Sequence, residues 1–89
     1  MRIEFDEAKR AATLKARGLD MAQASLVFGG ATLTVEDDRQ DYGEVRYITI
    51  GFLDDTMVVI VWTHRSDAHR IISLRRANER ERQLYGPRF

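Results

Sequence analysis

The chain contains no cysteine. Disulfides, thiolate metal sites and a cysteine nucleophile are therefore excluded. It has only two histidines, His64 and His69, on either side of one turn. An imidazole pair without a supporting set of carboxylates at ligand spacing is a weak metal signal. No long apolar run exists: MVVIVW, residues 57 to 62, is the longest and is far too short to cross a bilayer. The opening MRIEFDEAKR is charged from its second residue, unlike a secretion signal, so a cytoplasmic protein is expected. The P-loop, GxGxxG, HExxH and GxSxG signatures are all missing. Net charge is missing too, with 14 basic residues against 14 acidic ones.

What is present is enough for one domain over residues 1–89, small but able to enclose a two-layer core. The zero net charge hides an uneven distribution. Residues 31 to 45 carry Glu36, Asp37, Asp38, Asp41 and Glu44 against Arg39, a sum of −4. From residue 64 onward seven arginines face Asp67, Glu79 and Glu81, a sum of +4. Such a basic segment attracts phosphates locally, unless it pairs with the acidic one.

The spacing predicts a helix over DEAKRAATLKARG. Asp6 can cap it, Glu7 sits in the first turn, Lys15 and Arg17 suit the C-terminal end of the dipole, and Gly18 stops it. Phe5, Ala8, Ala12 and Leu19 fall near one face. DMAQASLVFGG reads as a second, shorter helix capped by Asp20, with Met21, Ala24, Val27 and Phe28 as its apolar stripe. From Ala31 the period changes to two. ATLTVE, EVRYITIGF, MVVIVWTH and HRIISLR read as four strands, and the short turns LDDT and RSDA make an antiparallel meander the simplest topology. NERERQLYGP is a last helix, with Asn78 and Glu81 as a capping box. The expected fold is α+β, with two N-terminal helices packed on a four-stranded antiparallel sheet and a short C-terminal helix.

The arginines dominate the candidate chemistry. Plain alternation along the fourth strand puts Ile71, Ser73 and Arg75 on one face, and Arg70, Ile72, Leu74 and Arg76 on the other. Arg46 shares its face with Ile48 and Ile50, and a meander lets arginines from the second and fourth strands approach across the third. Guanidinium groups gathered without carboxylates repel, and a phosphate supplies the missing counter-charge. Tyr42, Tyr47 and Trp62 are aromatics on which RNA bases could stack, or else core residues. EDDRQDYGE lacks the spacing of an EF-hand and reads as a solvated loop. His64 and His69 read as solvated turn residues, with proton transfer, or a metal shared with Asp67, as the alternatives. Arg80 and Arg82 read as part of a solvated helix laced with charge pairs.

Four blocks in order, FDEAKRAATLKARG, DDRQDYGEVRYITIG, VVIVWTHR and RIISLRRANERERQLY, resemble the BrnT-family toxins of bacterial type II toxin–antitoxin systems. The chain departs from that family's usual pattern at Phe5, where members carry Trp, and at Thr13 and Ala16-Arg17, where they carry Asn and Lys-His. The resemblance implies a RelE-like fold and a ribonuclease that blocks translation by cleaving RNA, free or ribosome-bound. It also implies neutralisation by a BrnA-type antitoxin in a two-plus-two heterotetramer, and contact with promoter DNA only through that antitoxin, with no membrane.

RNA cleavage that uses the neighbouring 2′-OH needs cations on the transition state and groups to move protons, and neither a metal nor a cofactor is expected. Arg46, Arg70 and Arg75 are assigned to the phosphates. Glu44 and Tyr47 are the further catalytic candidates, and Lys9, His64 and Tyr85 the substrate-binding ones. His64 and Tyr85 are also candidates for proton transfer. The rival reading is a catalytically inactive toxin-like module that serves only as antitoxin partner and co-repressor. Direct DNA binding is weaker, given zero net charge and no recognition helix.

Overall fold

The computed structural model describes residues 1–89 and begins with a strand that no sequence period announces. Arg2–Glu4 forms β1, three residues long. Asp6 then caps α1, Glu7–Arg17, accepting from the Lys9 amide at 3.0 Å, and Gly18 ends it in the left-handed conformation at φ 68°. The expected second helix divides in two. Met21–Gln23 is a 3₁₀ turn capped by Asp20, and only Ala24–Phe28 is α-helical, as α2. Four further strands follow: β2 Leu33–Asp37, β3 Arg46–Leu53, β4 Thr56–Arg65 and β5 Ala68–Arg76. α3 spans Glu79–Tyr85 with the capping box of Asn78 and Glu81 in place, and a 3₁₀ turn, Gly86–Arg88, follows it.

The sheet is five-stranded and mixed, in the order β1-β5-β4-β3-β2. β2 to β5 form the expected antiparallel meander, whereas β1 pairs with β5 in parallel, Ile3 opposite His69. The expectation of four antiparallel strands is corrected by β1, whose three residues are too few to show alternation. The apolar run at 57–62 forms most of β4, the central strand, covered on both faces.

One face of the sheet holds the larger core. Val58, Ile60, Trp62, Ile71 and Leu74 pack there against Leu19, Met21, Ala24 and Val27. A Cβ at Gly51 would lie 2.7 Å from a Val27 methyl, so α2 rests directly on β3 at the position that lacks a side chain. α1 buries none of its residues. It is held from its polar side, where Arg10 grips Asp20 through two bonds of 2.7 and 3.0 Å, and Arg17 donates to the Leu74 carbonyl of β5 at 2.8 Å. The other face holds a smaller core of Ile50, Met57, Val59 and Ala77, with Ile48 and Tyr85 packed against it. No helix is long and apolar enough to cross a membrane.

Candidate functional site

Plain alternation fails in β5. Val61 pairs with Ser73, but Trp62 pairs with Ile71, which leaves Ile72 as an extra residue in a β-bulge. On the N-terminal side of the bulge every side chain is turned over relative to simple counting. Arg70, opposite Thr63, thus shares a face with Arg75, opposite Val59. Val59 and Val61 stand opposite Ile50 and Ile48, and Arg46 lies on that same face of β3. The expectation that Arg70 lies with Leu74 and Arg76 is corrected: Arg46, Arg70 and Arg75 all occupy the face turned away from α1 and α2. Arg76, opposite Val58, is on the helix-covered face, where it donates to the Arg17 carbonyl.

These arginines do not stand without carboxylates. Arg75 makes a two-bond fork with Glu81, at 2.7 and 2.8 Å, so Glu81 belongs to the sheet face as much as to the helix. That fork holds the Glu81 carboxyl well below its usual range, at about 2, and raises Arg75 in turn. Arg46 bonds Glu44 at 3.1 Å and lies 4.2 Å over the Tyr42 ring. Arg70 faces Glu4 of β1 at 3.8 Å. Glu44 is shared, since Arg65 also approaches it at 3.9 Å. Asp37, expected in a solvated loop, is buried beneath Arg39, which grips it at 2.7 and 2.8 Å while the Tyr42 hydroxyl donates at 3.0 Å. The Arg39 fork holds the Asp37 carboxyl down at about 2.

Between this face and α3 lies a cavity of about 210 Å³. Ile48, Ile50 and Val59 give it aliphatic walls, and Arg39, Arg75, Arg88 and Tyr85 surround them. Lys9 is elsewhere, lining a shallow depression between α1 and the β5 edge with Ile72 and Ser73.

A second cluster occupies the helix-covered face, at the end of the sheet. Trp62 is sandwiched between Tyr47, at 4.8 Å between ring centres, and His69, at 3.9 Å, and its indole N–H donates to the buried Thr49 hydroxyl at 2.8 Å. His64 pairs with His69 across the strands, 5.2 Å away, and meets Tyr47 at 5.5 Å. The reading of two solvated turn histidines therefore fails for His69, which also packs on Phe28. Burial, and secondarily the nearby His64, lower the pKa of His69 and favour its neutral form. Tyr47 and His64 are thus separated from the three arginines by the sheet itself.

Sequence reasoning missed Glu81, Arg39 and Arg88 around the arginine face, and on the opposite face it named His69 only as a turn histidine, not as part of the aromatic stack. Glu81 carried only a capping signal, and it serves both roles, since its Oε1 also accepts from the Asn78 amide at 2.9 Å. A family model described as "Ribonuclease toxin, BrnT, of type II toxin-antitoxin system" matches residues 5–81. No curated protein matches the chain.

Proposed function

The chain belongs to the BrnT family of ribonuclease toxins of type II toxin–antitoxin systems, and from that premise we propose that it cleaves RNA without a metal on the arginine-bearing face of its sheet. The observation that carries this reading is the bulge at Ile72, which brings Arg70 to the face of Arg46 and Arg75. Three guanidinium groups on one face suit successive phosphates of a single strand. In this mechanism the 2′-OH next to the scissile phosphate gives up its proton to solvent and attacks phosphorus, the 5′-oxygen leaves as it takes a proton from an acid on this face, and the cations stabilise the added negative charge of the transition state. Glu81 aims Arg75, and a phosphate oxygen displaces or shares that fork. With its proton equilibrium set far below neutrality, Glu81 is a poor proton donor, so Tyr85, which lines the same cavity as Arg75, is the candidate on this face. An enzyme that relies on cations more than on a tuned base is slow on free RNA and gains from a ribosome that orients the strand.

The toxin works with a protein antitoxin, as its family implies. We propose a BrnA-type partner, a two-plus-two complex that represses its own promoter, and cytoplasmic action on translation.

A second reading is favoured by one observation: each of the three arginines already has a carboxylate within 4.0 Å, which suits a static binding module. Incubating antitoxin-free protein with a long single-stranded RNA in EDTA separates the two. Cleavage by the wild type, reduced about 100-fold or more in Arg75→Ala, supports the ribonuclease reading. An inert wild type on both free and ribosome-bound RNA, with no growth arrest on expression, supports the binding module.

A further inference from the structure

We propose that the cavity beside Arg75 is a subsite for one nucleobase of the RNA strand, and that guanine fits it best; this rests on the ribonuclease reading of the same face. The walls and the polar groups around them point to different parts of one nucleotide. Ile48, Ile50 and Val59 offer aliphatic surface for the faces of a flat ring. The guanidinium groups at the rim lie where the neighbouring phosphates of a threaded strand would pass.

Two hydrogen-bonding side chains, Arg88 and Glu81, decide which base. The Arg39 fork is committed to Asp37 and the Arg75 fork to Glu81, but Arg88 has no carboxylate within 4.0 Å and donates no hydrogen bond. Its two-pronged donor is free for two adjacent acceptors. Glu81 also lines the cavity, and its Oε2 accepts only from Arg75, which leaves it acceptor capacity for a ligand there. Guanine is the base that presents the acceptor pair O6 and N7 for an arginine and an N–H donor edge for a carboxylate. An acidic peptide would find the same arginines, but its carboxylates would meet the ionised Glu81 in the wall. Charge complementarity therefore favours a base inside with its phosphates on the rim.

The test follows backbone amide shifts of the protein titrated with GMP, UMP or inorganic phosphate. GMP should shift amides of β2, Ile48 to Ile50 and α3 together, whereas phosphate should shift only those near the arginines. UMP should bind about tenfold more weakly, the equivalent of one charged hydrogen bond, and Arg88→Ala should weaken GMP by a similar factor. Val35 borders the cavity from β2 and is 59% exposed, so Val35→Trp fills the mouth without entering the core. That variant should lose the GMP shifts while the rest of its spectrum stays native. Equal shifts from phosphate alone, equal affinity for UMP, or undiminished GMP binding in Val35→Trp would each overturn the subsite. So would a glutamate-rich peptide that moves the cavity amides where GMP does not, which would make the cavity a protein-binding site. Mapping cut sites on a long RNA keeps the two ideas apart. Cuts with no guanine preference, unchanged in Val35→Trp, remove the subsite and leave the ribonuclease. Intact GMP shifts with no cleavage of free or ribosome-bound RNA remove the ribonuclease reading alone.

Discussion

The two faces of the sheet are built on opposite terms. The face under α1 and α2 is closed: Trp62 is 5% exposed, Val58, Ile60 and Leu74 are fully buried, and α2 rests on Gly51 with no room for a methyl group. The face under α3 carries less apolar packing: its core is the four residues Ile50, Met57, Val59 and Ala77, and α3 is seven residues long and buries none of its own. Its attachment is mostly polar, through the Arg75–Glu81 fork, the capping box and the 2.7 Å bond from Arg82 to the Ala77 carbonyl. Stability is concentrated where apolar area is buried, and a face with less of it can be opened at lower cost. On the proposed reading, a strand of RNA reaches the arginine face without disturbing the larger core that holds the sheet.

The largest expected effect breaks the closed face. Trp62→Ala removes the centre of the aromatic stack and the bond to Thr49, and should destabilise the fold by about 3–5 kcal/mol in urea titrations. Arg75→Ala, on the open face, should lower RNA cleavage by about 10²–10³-fold while changing stability by about 1 kcal/mol or less, because a partly exposed ion pair is worth little. If its melting temperature instead fell as far as that of Trp62→Ala, the division between the faces would collapse.

Asn78→Ala removes the cap of α3 and should cost about 1 kcal/mol, read as faster amide exchange confined to Glu79–Tyr85. The smallest effect is the pH dependence of His69. Its folded pKa lies below the ordinary value of 6.5, so the unfolded chain binds the proton first as pH falls. Its contribution is complete above that value and is lost on acidification, so the urea midpoint should drop as the pH falls below about 6.5. His69→Gln should flatten that part of the curve.

Much of this was readable from neighbouring residues alone. The Asp6 and Asn78 caps, the Gly18 stop, the two short hairpin turns, the alternation through β3 and the continuous apolar run of β4 all obey local rules, and the structure keeps them. The second helix was only half legible. Met21, Ala24, Val27 and Phe28 have helical spacing, yet the first turn tightens to 3₁₀ as Asp20 accepts from the Ala22 amide and bonds Arg10. At the site, the arginines were legible as a group by their number. Their partners were not, because a fork such as Arg75–Glu81 joins a strand to a helix around a corner, with no fixed spacing to betray it.

The sequence by itself determined the kind of each long element, its caps and turns, and the membership in a toxin family. Those properties depend on side-chain period and backbone preference over a few residues, or on the order of motifs along the chain. The tertiary structure alone decided the pairing of β1, the burial of Asp37, the stacking of His69 on Trp62 and the face on which Arg70 stands. Each depends on which strand lies alongside and in what register. Across the bulge at Ile72 a one-residue slip in hydrogen bonding to β4 reverses the direction of every side chain beyond it, and no period within β5 carries that information.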